Sequence, residues 1–203
     1  MTEPQFQILV WLSYRIAATF AFGLPIILLI WAKRSNLSSI DRLLSIYWKV
    51  SSLYAIKLLF LSVENQLGQL ISFIAPIIMV GSIWFWFDLN EEIDEMPAHK
   101  PIALTTRIWR WTLSFWSLLN TGLHLFSWRC LSSINENYCD TWTEIPFNSF
   151  MTTKTIIKFV LDGNWSIGFA TFFAYLALIL YLIGLLQWLI IQLPKNGRFA
   201  GKF

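Results

Sequence analysis

The sequence predicts an all-α integral membrane protein, a bundle of about five transmembrane helices in one domain covering residues 1–203. Three observations predict this class. The composition is 56% hydrophobic and only 13% charged, about half the charge of a typical soluble domain. Five runs approach the roughly 20 apolar residues needed to cross a bilayer. The 12 Trp and 17 Phe residues are typical of apolar packing and membrane interfaces.

The predicted spans lie at about Ile8–Ala32, Leu43–Val63, Gln69–Phe87, Ile108–Trp128 and Trp165–Leu193. The third is the shortest and contains Pro76, a residue that kinks or interrupts helices. The alternative to a straight third span is therefore one that is kinked at Pro76 or lies obliquely in the membrane. In the first span, the sequence Gly23-Leu-Pro25 indicates a second point of discontinuity.

Basic residues orient the predicted bundle. The connections after spans one and three, together with the tail, contain Lys33, Arg34, Arg42, Lys100, Arg107, Lys195, Arg198 and Lys202. The loops on the opposite side contain only Arg129, Lys154 and Lys158. Because basic residues concentrate on the cytoplasmic side of membrane proteins, we expect an outer N-terminus and a cytoplasmic C-terminus.

The acidic run after span three does not disturb this orientation, because carboxylates contribute little to the rule. It comprises Asp88, Glu91, Glu92, Asp94 and Glu95. Its oxygen atoms suit a hard cation, but the spacing and the turn glycine of a calcium-binding loop are missing. We interpret the run as a solvated loop at the end of span three, where neutralising Glu91 and Glu92 is expected to have little effect.

The long outer loop contains the only two cysteines, Cys130 and Cys139. An outer position permits a stable disulfide between them, and two unrelated thiols are the alternative. Later in this loop, the segment Thr152–Leu161 places Lys154 and Lys158 on one side and apolar residues on another. This pattern predicts a short helix on the outer membrane surface.

Small residues recur at roughly helical spacing in the first and last spans. They are Ala17, Ala21, Ala170, Ala174, Ala177 and Gly184. Small faces permit close approach of two membrane helices, so the pattern predicts that these two spans pack together.

The fourth span has one polar face. Its members, at steps of three or four residues, are Arg110, Ser114, Ser117, Asn120, His124 and Ser127. This spacing places them on one side of an α-helix. A polar stripe on an otherwise apolar helix is expected to face other helices rather than lipid.

Helix rise predicts a cluster in the outer third of the bundle. At 1.5 Å per residue, His124 and Arg15 lie roughly 6 Å below the outer interface and Lys57 roughly 10 Å below it. Glu64 is on the same helix face as Lys57, and Asn120 is one turn from His124. The candidate site is Arg15, Lys57, Glu64, Asn120 and His124, as a ligand or cofactor site. Snorkelling and helix–helix hydrogen bonding are the alternative.

His124 is also a candidate pigment ligand. The only other histidine, His99, lies in the opposite loop, so one chain does not supply the histidine pair of a membrane haem. A single histidine suffices for the magnesium of chlorophyll, and the neighbouring Trp116, Phe115 and Phe126 suit a flat ring. Hydrogen-bonded packing is the more ordinary role for such a histidine.

No pattern for catalysis is present in the sequence. The zinc-protease, serine-hydrolase and phosphate-loop motifs are missing. Neither cysteine has a second cysteine or a histidine at the spacing of a metal site. We therefore predict no catalytic residues and no metal. The modest net charge of +3 does not indicate nucleic-acid binding.

The chain ends in Leu193-Pro-Lys-Asn-Gly-Arg-Phe-Ala-Gly-Lys-Phe203 after a long, aromatic-rich last span. This ending resembles a family of cyanobacterial integral membrane proteins of unknown function, and the resemblance covers most of the chain. It implies a photosynthetic prokaryote and a thylakoid or plasma membrane, whose outer side is lumen or periplasm. It transfers no catalytic residues.

Two functions compete on these grounds. The first is a non-enzymatic accessory, assembly or structural subunit of a larger membrane complex, with lipid and other membrane proteins as partners and a photosynthetic complex as one setting. The alternative is a small transporter or channel lined by the polar face of the fourth span. Transporters often have internal repeats and broken spans, and no repeat is visible here.

Overall fold

The structure, a computed structural model, describes residues 3–97, 99–126, 142–148, 151 and 166–193, which form helices and no strand. The helices are α1 (Glu3–Ile16), α2 (Leu24–Arg34), α3 (Ser38–Ser62), α4 (Gln66–Trp84), α5 (Phe87–Glu95), α6 (Pro101–Phe126), α7 (residues 142–148) and α8 (Ile167–Gln187). A π-helical segment, Ala17–Gly23, joins α1 to α2 without a break, and a second one, Trp188–Gln192, continues α8.

Four stretches of helix are long and apolar enough to cross a membrane. They are Gln7–Arg34, Ser38–Ser62, Gln66–Trp84 and Ile167–Ile191. Four of the predicted spans therefore agree with the helices, including the third, which continues through a buried Pro76. The predicted fourth span, Ile108–Trp128, coincides with α6 as far as Phe126, and its last two residues lie outside the described residues. Helix α6 is not among the four, because the residues of its polar face lower its hydropathy.

Successive long helices run in opposite directions, which gives the bundle two ends. The His124 end holds the start of α4, the end of α6 and the start of α8; the Arg110 end holds α5, the start of α6 and the end of α2. Antiparallel contacts along α6 support this arrangement, because Ser13 of α1 meets Asn120 while Phe20 meets Trp109.

A tight turn joins α3 to α4 at the His124 end. Asn65 caps α4 by accepting a hydrogen bond from the Leu67 N–H at 2.9 Å, which satisfies one of the free donors of the first helical turn. A Cβ added to Gly68 would lie 2.9 Å from the main-chain nitrogen of Leu61. Glycine at this position therefore allows α3 and α4 to begin their packing at close range.

The discontinuity expected at Gly23-Leu-Pro25 takes the form of the π-helical segment, and the first span is one continuous helix. Pro25 has no N–H to offer to the carbonyls one turn back. Side chains of two other helices provide donors instead: Tyr47 donates to the Ala21 carbonyl at 2.7 Å and Trp109 donates to the Phe20 carbonyl at 2.9 Å. The two rings meet edge to face at 5.0 Å, so this contact ties α3 and α6 to the first span.

We expect Tyr47→Phe and Trp109→Phe each to lower the free energy of unfolding by about 1–2 kcal/mol. Each leaves a main-chain carbonyl, buried at Ala21 and part-buried at Phe20, without its side-chain donor. Detergent unfolding curves measure the change. Trp111→Phe is the matched control, because Trp111 is exposed on the other face of α6, and its effect should stay within about 0.5 kcal/mol. Equal losses for Trp109→Phe and Trp111→Phe would contradict the proposed role of the indole donor.

The predicted packing of the first span against the last is wrong. Helix α8 lies mainly against α3, where the rings of Phe60 and Tyr175 meet at 5.1 Å and Asn65 donates to the Tyr175 hydroxyl at 3.2 Å. Ala17 and Ala21 are buried, but their segment packs against Tyr47 and Trp109 instead. Small residues permit close packing without specifying which helix provides the partner.

Two predicted features of the long loop lie outside the described residues: the Cys130–Cys139 disulfide and the surface helix at Thr152–Leu161. The same is true of Ser127, the last member of the predicted polar stripe. Within this part of the chain, the structure describes α7, which packs against the His124 end of the bundle through Trp142.

Candidate functional site

The polar face of α6 points into the bundle along most of the helix. Arg110, Ser114, Ser117, Asn120 and His124 are all buried, while the other side of α6 exposes apolar residues that include Ile108, Trp111, Phe115, Leu118 and Leu119. A helix that is apolar outside and polar inside is the arrangement expected for a membrane helix packed against others.

At the Arg110 end, the guanidinium of Arg110 is only 1% exposed and is held by α5. It donates to Asn90 Oδ1 and to Asp94 Oδ1, each at 2.5 Å, and lies 5.1 Å from the Trp84 ring centroid. A carboxylate and an amide oxygen together compensate a charge that would otherwise be costly to bury.

The interpretation of the acidic run, Asp88–Glu95, as a solvated loop is wrong. Residues Phe87–Glu95 form the amphipathic helix α5, which buries Leu89 and Ile93. Arg107 fixes its C-terminal end by donating to the carbonyls of Ile93 at 2.8 Å, Asp94 at 2.7 Å and Met96 at 2.6 Å. A cation at the end of a helix satisfies carbonyls that have no partner within the helix.

In the middle of the polar face of α6, side chains form hydrogen bonds with neighbouring helices. Ser114 accepts from the Trp84 indole of α4 at 2.8 Å and donates to the Arg110 carbonyl at 2.8 Å. Nearer the His124 end, Ser13 of α1 donates to Asn120 Oδ1 at 2.7 Å. The bonds from Trp84 and Ser13 link α6 to α4 and α1, while the bond from Ser114 to Arg110 lies within α6.

Lys57 of α3 lies fully buried at the His124 end of the bundle. Its Nζ is 4.4 Å from the ring centroid of Tyr54, 5.6 Å from that of Tyr14 and 5.9 Å from that of Trp142. Aromatic faces attract a cation, but they do not accept the three hydrogen bonds that an ammonium group can donate.

The ring of Trp142 contacts His124 as well as Lys57. The imidazole stacks on the indole with ring centroids 4.0 Å apart, and Tyr14 fixes this part of α7 by donating to the Trp142 carbonyl at 2.8 Å. Val10 and Trp142 form a small apolar cluster here, flanked by Leu123 and Ile145. The first span, α3, α6 and α7 therefore all contribute to one polar and aromatic cluster.

Four buried polar atoms of this region have no hydrogen-bond partner among the described residues: Lys57 Nζ, Asn120 Nδ2, His124 Nε2 and Ser117 Oγ. Buried polar groups in folded proteins are nearly always paired. Six further unpaired atoms of the described residues are distributed over the bundle, and three of them are indole nitrogens. The four named here differ because they include the buried ammonium of Lys57, so this is where a further polar group is most needed. We call Lys57, Ser117, Asn120 and His124 the buried polar cluster.

Of the five residues predicted for the outer-third site, Lys57, Asn120 and His124 are buried in this region. Arg15 is exposed, with its guanidinium 5.9 Å from the Trp11 ring centroid. Glu64 is also exposed, in the turn between α3 and α4 with φ of 55°. A role for Arg15 and Glu64 alongside Lys57 has no support in this geometry.

The sequence reasoning missed the aromatic walls of the cluster, Tyr14, Tyr54 and Trp142. Tyr54 precedes Lys57 by three residues and shares its helix face, so periodicity could have found it. Periodicity could not have found Trp142, because it lies in α7. The spacing of residues within α6 does not show where another segment of the chain packs.

The described side chains contain no group of three or more His, Cys, Asp and Glu residues arranged to hold a metal. For chlorophyll, the large ring would have to reach a His124 side chain that is only 4% exposed and stacked on Trp142. This packing does not favour a pigment. The pigment hypothesis stays a prediction, and the unpaired donors fit a smaller polar group better.

The four long apolar helices and the inward polar face of α6 are consistent with an α-helical membrane protein. The chain belongs to the family described as Protein of unknown function (DUF3177), whose sequence profile matches residues 7–201. No curated protein and no solved structure matches the chain.

Proposed function

We propose that this protein is a non-enzymatic accessory, assembly or structural subunit of a larger membrane protein complex. The observation that carries the proposal is the open face of α8. This helix buries only Ala170 and Ala174 among its residues. Its exposed side includes Phe172, Leu176, Ile179, Leu180, Ile183 and Leu186. A membrane helix held by one narrow stripe has most of its surface available to a neighbouring subunit.

A glycine supports docking on this face. Gly184 is exposed, and a Cβ built on it would meet nothing within 4 Å among the described atoms. Glycine allows the backbone of a second membrane helix to approach closely. The polar face of α6 supports a structural role as well, since Arg110, Ser114 and Asn120 form hydrogen bonds with residues of other helices.

Purification of the tagged chain from its native membrane in mild detergent tests the proposal. We expect a partner at fixed stoichiometry, and we expect Gly184→Leu to reduce its recovery at least fivefold while the variant remains folded. Gly81→Leu is the matched control, because Gly81 is also exposed with open space around it, but on α4. Recovery of the wild-type chain as an isolated monomer would contradict the proposal.

A small transporter or channel is the second candidate. The observation that favours it is the buried polar cluster, since unpaired polar groups inside a membrane bundle often mark a path for a solute or proton. Flux through liposomes containing the purified protein tests it. An unchanged flux in the Asn120→Ala, His124→Ala double variant would dispose of this candidate.

The finer membrane arrangement is also part of the proposal. We propose that α6 is a fifth span, because its 26 residues cover roughly 39 Å at the helical rise and its lipid-side residues are apolar. The distribution of Lys and Arg favours an outer N-terminus and a cytoplasmic C-terminus. The resemblance of the chain's ending favours a cyanobacterial thylakoid or plasma membrane.

With this orientation, Cys130 and Cys139 lie outside the cytoplasm, and we expect them to be oxidised to a disulfide. A thiol assay on denatured, non-reduced protein should find no reactive cysteine before reduction and two after it. Two reactive cysteines without reductant would contradict both the disulfide and the orientation from which it was predicted.

A further inference from the structure

We infer that the buried polar cluster and its aromatic walls form a binding site for an oxyanion, the phosphate or carboxylate group of an amphiphile. The inference does not depend on the docking role of α8, because it concerns the interior of the bundle at its His124 end. It rests on the charge of Lys57, on the kind of hydrogen-bonding group left unpaired on the buried face of α6, and on the depth of the site.

The charge at Lys57 is the first step. Its side chain is 0% exposed, and Nζ has no hydrogen-bond partner among the described residues. Removing an ammonium group from water is costly unless an opposite charge and hydrogen-bond acceptors replace the water. The carboxylates that the structure describes at this end of the bundle do not supply the opposite charge. Glu64 is exposed, and Glu144 is exposed and accepts a hydrogen bond from Gln7 at 3.5 Å.

The chemistry of the other unpaired atoms is the second step. Asn120 uses its oxygen to accept from Ser13, which leaves the amide nitrogen, a donor, without a partner. His124 Nε2 and the Ser117 hydroxyl can each donate as well. A site that offers an ammonium and further donors requires a ligand with several acceptor oxygens and negative charge, which describes a phosphate or a carboxylate.

The depth and walls of the site are the third step. Lys57 is five residues from the C-terminal end of α3 at Ser62, or roughly 7.5 Å along the helix. This depth is within reach of the headgroup layer. The rings of Tyr14, Tyr54 and Trp142 surround Nζ and provide apolar contact for the part of an amphiphile next to its charged group.

Delipidated full-length protein in an uncharged maltoside detergent tests the inference with three probes. The probes are phosphatidylglycerol for a lipid phosphate, oleate for a lipid carboxylate, and inorganic phosphate for the free ion. We expect at least one probe to raise the thermal unfolding midpoint of the wild-type protein, and the responding probe identifies the source of the oxyanion. Native mass spectrometry should count one bound molecule per chain.

Lys57→Gln should weaken binding of that probe at least tenfold, and Asn120→Leu should weaken it at least threefold. Lys49→Gln is the matched control, because Lys49 is an exposed lysine on the same helix, and it should bind as the wild type does. Without a probe, Lys57→Gln should unfold at a higher temperature than the wild type, since an unpaired buried charge is removed. This expectation separates lost binding from lost folding.

Three results would overturn the inference. The first is a wild-type protein that binds none of the three probes. The second is equal binding by the wild type and Lys57→Gln. The third concerns Glu136 and Asp140, two carboxylates of the long loop that lie outside the described residues. If a Glu136→Gln, Asp140→Asn double variant is less stable than the probe-free wild type, but the same changes do not destabilise Lys57→Gln, a carboxylate of the chain itself is the partner of Lys57.

Discussion

Asp94→Asn is expected to lower the free energy of unfolding by about 2–3 kcal/mol, because it leaves the buried Arg110 guanidinium without its counter-charge. The loss should fall below the 3–5 kcal/mol typical of fully buried pairs, since the Asp94 side chain is 59% exposed while that of Arg110 is 1% exposed. Equilibrium unfolding in mixed detergent micelles measures it. The same variant should also loosen α5, because Asn90 alone then holds Arg110 to that helix.

A double-mutant cycle isolates this ion pair. Arg110→Met should cost less than Asp94→Asn, because Asp94 can be solvated where it lies. Adding Asp94→Asn to Arg110→Met should then cost at most about 1 kcal/mol, because the part-exposed Arg107–Asp94 pair at 3.8 Å is the charge contact that remains to be lost. The Glu91→Gln, Glu92→Gln double variant is the matched control, since both side chains are exposed and the Glu92–Arg42 contact is a surface pair at 3.4 Å. We expect it to change stability by less than about 1 kcal/mol. Additive losses at positions 94 and 110 would contradict the assigned coupling.

Gly68→Ala is expected to destabilise the fold by about 1–3 kcal/mol, the range for an added group in a tightly packed contact. The new Cβ would lie 2.9 Å from both the main-chain nitrogen and the Cδ2 atom of Leu61. A side chain can rotate away from such a contact, but a backbone nitrogen cannot move without shifting the end of α3. Heat unfolding followed by circular dichroism measures the effect.

Gly81→Ala provides the comparison within the same helix. Its added Cβ meets nothing within 4 Å among the described atoms, and alanine has the higher helix propensity. This variant should therefore be neutral or slightly stabilising. If the two alanine variants unfold at the same temperature, the close approach of α3 and α4 at Gly68 is not a requirement of the fold.

The sequence predicted the polar face of α6 because helical periodicity is a property of one segment. Steps of three and four residues from Arg110 to His124 place the polar side chains together in any α-helix, and an apolar exterior decides which face turns inward. This conclusion required no knowledge of which helices are neighbours. For Lys57 on α3, helix rise predicted only its depth and left snorkelling to the headgroups as an alternative; its burial depends on how α3 packs against the other helices.

The acidic run shows where this reasoning failed. Five carboxylates in a short stretch were interpreted as a solvated loop, yet Leu89 and Ile93 are four residues apart and are buried on one face of α5. That spacing was available in the sequence as the signature of an amphipathic helix. The pairing of Asp94 with Arg110 was not available, because it depends on how α5 folds back on the start of α6.

The position of Trp142 could not be predicted either. It meets His124 across 18 residues of sequence, and it contacts Lys57 and Tyr14 from two further helices. Long-range contacts of this kind are determined by the three-dimensional packing of several segments. Predicting the small-residue contact between the first and last spans failed for the same reason, since a small face fits more than one neighbour.

Site-specific photo-crosslinking in the native membrane tests the central claim, that α8 is the docking face of a subunit, most directly. A photoreactive amino acid replaces Phe172 on the exposed face of α8 or, as the control, Phe115 on the exposed face of α6. We expect one dominant protein adduct of fixed mass from position 172, and lipid adducts alone from position 115. Lipid adducts alone from both positions would contradict the proposal that this protein works as a subunit docked through its last helix.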